Sequence, residues 1–147
     1  MLDLNREAKV TRVMDAVAAG TTVQTQTTGL DMAGFESCTF IASFGTLTAN
    51  QVTSVEVHQC DTVAGTYAAI AGSNSGPLDD DDDDKLVVVT VVRPREQFLK
   101  VVINRATANA VIDGVVAIQS PAHKAPVSHA ASVALSESVF SPAEGTA

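Results

Sequence analysis

The chain has 147 residues, 17 of them acidic against 9 Lys and Arg, for a formal net charge of −8. That balance argues against nucleic acid and against an anionic membrane surface as partners, because both are held by clustered Lys and Arg. The length fits one domain, which can bury about 68–70% of its unfolded surface without disulfide or metal staples.

Aromatic residues make up 4% of the chain, with no Trp and a single Tyr. The apolar mass is instead Val and Ala, with Thr as a polar β-branched partner. Val and Thr lose rotamer freedom in helices, so the composition favours sheet. Cys38 and Cys60 are too few for a disulfide framework and fit no zinc spacing. They read as small buried hydrophobes, with a bridge between neighbouring strands as the alternative. Met1-Leu2-Asp3-Leu4-Asn5 lacks the basic start and apolar stretch of a signal peptide, and no apolar run is long enough to span a bilayer. The expectation is a soluble protein made in the cytoplasm.

Residues 5–20 carry two patterns. Val10, Val13, Met14 and Val17 recur at helical spacing, with Asn5 as a cap and Gly20 as a stop, while Lys9–Val13 alternates weakly as a strand. Extended structure is the preferred reading, since the chain beyond Gly20 is sheet-like throughout. Gln24–Thr28 suits an edge strand and Asp31-Met32-Ala33-Gly34 a turn. Cys38, Phe40, Ala42 and Phe44 alternate with Thr39, Ile41 and Ser43, which marks a strand with its richer face inward and Gly45 as its end. Val55, Val57 and Gln59 alternate with Ser54, Glu56 and His58 in the same way. Val63–Ile70 holds a turn and a short strand, and Gly72–Pro77 is loop.

Asp79–Asp84 places six carboxylates in a row, which cannot be buried together at tolerable cost. Lys85 closes the run, and Leu86–Val92 comes next as a strand apolar on both faces. It is expected either at the centre of a sheet or covered by a second subunit. Pro94 terminates it. Leu99, Val101 and Ile103 then face one side with Lys100 and Asn104 opposite. Val111–Gln119 forms a last strand, with Asp113-Gly114 as a bulge or turn. The expected fold is all-β, an antiparallel β-sandwich or jelly-roll-like barrel over residues 1–120. Residues 121–147 form an extended C-terminal arm, too sparse in apolar residues to order alone but able to lie along a neighbour through Val127, Val133, Leu135, Val139 and Phe140.

Candidate chemistry is thin. Consecutive aspartates cannot all point at one calcium ion, and the EF-hand spacing, central Gly and terminal Glu are missing, so the run reads as a solvated loop. Asp81–Lys85 also spells the enteropeptidase cleavage sequence, here a coincidence because strand sequence continues after it. His58 sits on an outer strand face beside Glu56, and His123 and His129 lie in the arm. No nucleophile elbow accompanies them. Asp61, Glu96 and Asp113 form no pair that spacing can identify, and no phosphate-binding glycine loop is present. No catalytic residue, metal ligand or cofactor site is assigned, and the chain is not expected to be an enzyme. Arg93, Arg95 and Arg105 form a local basic spot, read as salt-bridging loop residues or as a docking spot for an acidic neighbour such as the aspartate loop of another subunit.

Arg105–Gln119 resembles a segment of small structural proteins of tailed bacteriophages. Asp31-Met32-Ala33-Gly34-Phe35, Arg93-Pro94-Arg95 and Ser141–Ala147 fit the same group. The chain departs from it at Phe35, where Tyr is expected, and at Ser120-Pro121, where an aromatic is expected. The resemblance implies a virion component, first a capsid decoration (cement) protein on the head surface. Its partners would be the major capsid protein and copies of itself, as a homotrimer. A head–tail connector or tail-tube subunit is the alternative, and a virion-surface glycan-binding module a third.

Overall fold

The computed structural model describes residues 3–141. The chain opens with one helical turn, α1 (Leu4–Glu7), whose N-cap is Asp3, accepting from the Asn5 amide, and not Asn5 itself. Extended structure comes next as expected, in β1 (Lys9–Met14) and β2 (Val17–Gly20). Short strands β3 (Gln24–Thr25) and β4 (Leu30–Asp31) lead into β5 (Phe35–Leu47), then β6 (Val52–Cys60) and β7 (Ala68–Ala69). After the long acidic loop come β8 (Leu86–Val92), β9 (Phe98–Ala106) and β10 (Ala110–Ala122).

These strands make an antiparallel β-sandwich. One sheet has the order β1-β10-β5-β8, with β2 also on β10; the other has β3-β9-β6-β7, with β4 also on β9. The two thirteen-residue strands, β5 and β10, pair along nearly their whole length, from Phe35–Ala122 to Leu47–Ala110. Strand periodicity sends alternate side chains to opposite faces. Cys38, Phe40, Ala42 and Phe44 therefore enter the core from β5, where they meet Val55 and Val57 of β6 and Leu99, Val101 and Ile103 of β9. Both cysteines are buried free thiols, and desolvation pushes the Cys38 thiol up to about 12.

Gly45 does not end its strand. The ladder runs through it to Leu47, because β10 continues opposite and offers partners beyond that point. Asp113-Gly114 is a bulge inside β10 and not a break: register shifts against β5 fall between Ile112 and Gly114. Gly114 has φ +136, and a Cβ there would meet the Met14 carbonyl oxygen at 3.1 Å, so only glycine fits without displacement.

The central position expected for Leu86–Val92 is overturned. β8 pairs only with β5 and forms an edge of its sheet. Val87, Val89 and Val91 are buried, while Leu86, Val88 and Val92 are 61%, 57% and 68% exposed. Its outer face is therefore largely solvent-exposed and apolar. Left-handed residues bracket it, Asp84 at φ 58 and Arg93 at φ 51, which turn the chain away at both ends.

Two phenylalanines, Phe40 and Phe44, are among the largest fully buried side chains of the core. Phe40 is fully buried in the middle of the β5 ladder. Replacing it with Ala should cost about 3–5 kcal/mol, measured by urea unfolding; a loss below about 1 kcal/mol would show that the two sheets do not close on Phe40.

Candidate interaction surfaces

The arm begins where β10 ends, at Ala122 and so beyond residue 120, and carries no further strand or helix in the described residues. It returns along its own N-terminal segment. An edge strand presents unpaired amides and carbonyls that need partners, and the arm supplies them to β1. Val127 donates its amide to the Arg6 carbonyl oxygen and Ala130 to that of Val10, at 2.8 and 3.2 Å. The Val10 amide donates to His129 Nδ1 at 3.1 Å, and the Arg12 amide to Ser132 Oγ at 3.0 Å. His129 Nε2 lies 2.9 Å from Asn5 Oδ1, so the ring bridges strand and turn in its Nε2–H tautomer. Further on, Asn5 Nδ2 donates to the Glu137 carbonyl and Ser138 Oγ to Asp3.

Of the candidate interface residues, Val127 and Val133 are half-buried on this path. Leu135, Val139 and Phe140 are 93%, 70% and 89% exposed. Val139 and Phe140 border an open groove against Asp3, Leu4 and Asn5. The part of the phage resemblance at residues 142–147 lies outside the described residues.

The basic spot is not brought together. Arg93 and Arg95 are exposed in the loop after β8, near Glu36, Glu96 and His123. Arg105 is 3% exposed, and its guanidinium is spent inside the fold. Nε donates to the Thr22 carbonyl at 2.9 Å, and Nη1 donates to the carbonyls of Ala18 and Ala110 at 3.0 and 2.7 Å. Burial lowers its pKa, since the charged form loses solvation. Arg105 thus ties β2 and the following loop to β9 and β10, and is not a surface docking residue.

The aspartate loop is less free than its charge suggests. Asp80 Oδ2 accepts from the Asn50 amide at 2.9 Å and Asp83 Oδ1 from the Leu47 amide at 2.6 Å. These carboxylates cap the β5–β6 turn, where Asn50 sits at φ 68. Asp82 pairs with Lys85 at 2.9 Å and accepts from the Asp79 amide. Among the described residues no group of three or more His, Cys, Asp and Glu side chains could hold a metal ion.

The Gln26 bridge escaped sequence reasoning, as did the loop residue that joins Glu56 and His58, whose adjacency on one strand face was expected. Gln26, buried beside β9, accepts from the Val101 amide at 3.0 Å and donates to the Thr28 carbonyl at 2.7 Å, completing the sheet where β3 stops. His58 and Glu56 form a pair at 2.9 Å that Asn74 joins at 3.2 Å. The i, i+2 spacing on one strand face was the available signal for the pair; the Asn74 contact comes from a distant loop and had none.

Arg105→Met should destabilise the fold by about 3 kcal/mol in chemical denaturation, by orphaning the buried Ala110 carbonyl and releasing those of Ala18 and Thr22; a near-neutral result would show that water replaces the guanidinium. Glu56 has its carboxyl pKa lowered, first by the hydrogen bond from His58. A depressed carboxyl stabilises the fold above its ordinary value, near 4.5, and that stability is lost as pH falls through the folded value. Glu56→Gln should therefore be less stable than the native chain at pH 7 and converge with it below pH 4.5. Thermal melts across that range check this, and a constant difference would contradict it.

No family model matches the chain, and no curated protein matches it. Among solved structures the fold is similar to that of the infectious bursal disease virus VP2 subviral particle, with a TM-score of 0.52 and 12% identity over 82% of this chain and 34% of that chain. It is similar also to a structure of the Gx strain of that virus, with a TM-score of 0.50 and 15% identity over 79% of this chain and 32% of that one. The chain spans about a third of the length of both, and the likeness is one of fold: a viral capsid-like β-sandwich.

Proposed function

We propose that the protein is a non-enzymatic structural component of a virion, a capsid decoration protein that binds the outside of a bacteriophage head and stabilises the shell. The observation that carries this reading is the arm. Its tether to β1 leaves Leu135, Val139 and Phe140 outside the core, presented to solvent where burial would be favourable. The capsid-like fold and the resemblance of scattered sequence blocks to phage structural proteins support the same reading.

The mechanism is mass action. A protein that binds the assembled shell but not its dissociated or unexpanded forms shifts the equilibrium towards the shell. Repetition of one site over a symmetric surface lets modest contacts add through avidity, and a trimer would place three arms on one site. Val127 and Val133 would hold the arm's root, Leu135, Val139 and Phe140 would bury against the major capsid protein or a neighbouring copy, and Arg93 and Arg95 would meet acidic ground. The protein would be made in the host bacterial cytoplasm and reside on the capsid surface. A head–tail connector would use the same arm in a ring. The glycan-binding alternative has little support because the chain has no Trp and a single Tyr, one face of whose ring is taken by Lys100, with Nζ 4.4 Å from the Tyr67 centroid.

The triple substitution Leu135→Ser, Val139→Ser, Phe140→Ser should leave the body's melting temperature unchanged and weaken binding to undecorated heads roughly tenfold or more in co-sedimentation. Undiminished attachment would overturn the arm's role. Copy number in purified virions separates the readings, since decoration requires copies comparable to those of the major capsid protein and a connector only a few.

A further inference from the structure

Every long edge of a β-sheet must be closed or defended, because its unpaired amides and carbonyls template association. This molecule closes one edge of its larger sheet with its own arm, along β1. The smaller sheet ends in two-residue strands, β3, β4 and β7, which are too short to pair strongly. β8 is different. It is seven residues long, and within Leu86–Val92 there is no Pro, no Lys, no inward charge and no bulge.

Its ladder shows which groups are free. The Phe44 amide donates to the Lys85 carbonyl at 3.1 Å and the Arg93 amide to that of Glu36 at 2.8 Å. Antiparallel ladders alternate strictly. Val87, Val89 and Val91 therefore bond towards β5, and Leu86, Val88, Thr90 and Val92 turn their backbone groups away from the sheet. The same four residues form the exposed outer face. That face continues inward as an apolar row, since Val88 stands opposite Ile41 and Ile41 opposite Val116.

Charge identifies the occupant. The strand has an acidic end at Asp79–Asp84 and a basic end at Arg93 and Arg95, so it is complementary to itself reversed. We propose that two copies of this chain pair their β8 strands antiparallel about a two-fold axis at Val89, joining their larger sheets into one. Leu86 then lies opposite the partner's Val92 and Val88 opposite the partner's Thr90, with the outward backbone groups meeting as hydrogen-bonded pairs. The apolar row of one copy runs on into the Thr90–Thr39 row of the other, where the hydroxyls are already 2.9 Å apart. The acidic loop before one strand then lies at the end of the other that carries Arg93 and Arg95. Lys85 faces the partner's Arg93, with its charge engaged by Asp82. In a trimeric decoration protein this contact would link one trimer to the next; it does not require the virion reading.

One strand pair is a small interface, so the dimer should be weak and concentration-dependent. Sedimentation velocity of the purified full-length chain should show reversible monomer–dimer exchange, weakened by salt as end-to-end charge pairing is screened. Val88→Lys with Thr90→Lys replaces exposed side chains, at the loss of the Thr90–Thr39 hydroxyl contact, and should abolish dimer while leaving circular dichroism unchanged. Arg95→Glu should weaken it roughly tenfold. Val88→Cys with Thr90→Cys should give a disulfide-linked dimer on mild oxidation, independently of affinity. The proposal is overturned if the native chain stays monomeric at the highest attainable concentration, if the double lysine variant associates like the native chain, or if the cysteine variant fails to cross-link. None of these measurements uses particles, so they fail or succeed apart from the decoration role.

Discussion

The pairing of β5 with β10 is the constraint that organises the molecule. Two thirteen-residue strands hydrogen-bond along nearly their full length and so form the middle of the larger sheet. Because side chains alternate, this single register decides which set of residues faces inward. A slip by one would send Phe40 and Phe44 to solvent and Thr39, Ile41 and Ser43 to the core. The bulge at Asp113-Gly114 absorbs the mismatch at one end and keeps Ile112 and Val115 both buried. The second sheet closes over this face, and β1 and β8 take the two remaining sides.

Those two sides are treated unequally, and that asymmetry underlies the functional readings. β1 is sealed by the arm through backbone bonds, His129 and Ser132. The seal uses the arm's polar atoms and leaves its large apolar side chains pointing away. β8 remains an exposed apolar edge between charges of opposite sign. Several of the molecule's polar side chains complete its own backbone. Arg105, Gln26, Asp80 and Asp83 are all engaged in that way.

Alternation in Cys38–Phe44, Val55–Gln59 and Leu99–Ile103 was legible without coordinates, because period-two patterning is a local property of strands facing a core. So were the sandwich class, the solvated aspartates and the loop character of Gly72–Pro77. The end of β5 was not: glycine weakens a strand, but a partner that continues opposite outweighs it by supplying hydrogen bonds.

Neighbour relations separate the two kinds of knowledge. Residue order carried the identity of the strands and the direction in which each turns its apolar side, since these depend on side chains a few positions apart. Three-dimensional pairing alone assigned β8 to an edge, drew Arg105 inside and folded the arm back on β1. Each of those outcomes is set by groups distant in the chain: β5 for β8, the carbonyls of Ala18 and Thr22 for Arg105, and the open amides of Val10 and Arg12 for the arm. A buried cation or an unpaired edge is satisfied by whichever group the fold brings within hydrogen-bonding distance, and no local pattern of residues names that group.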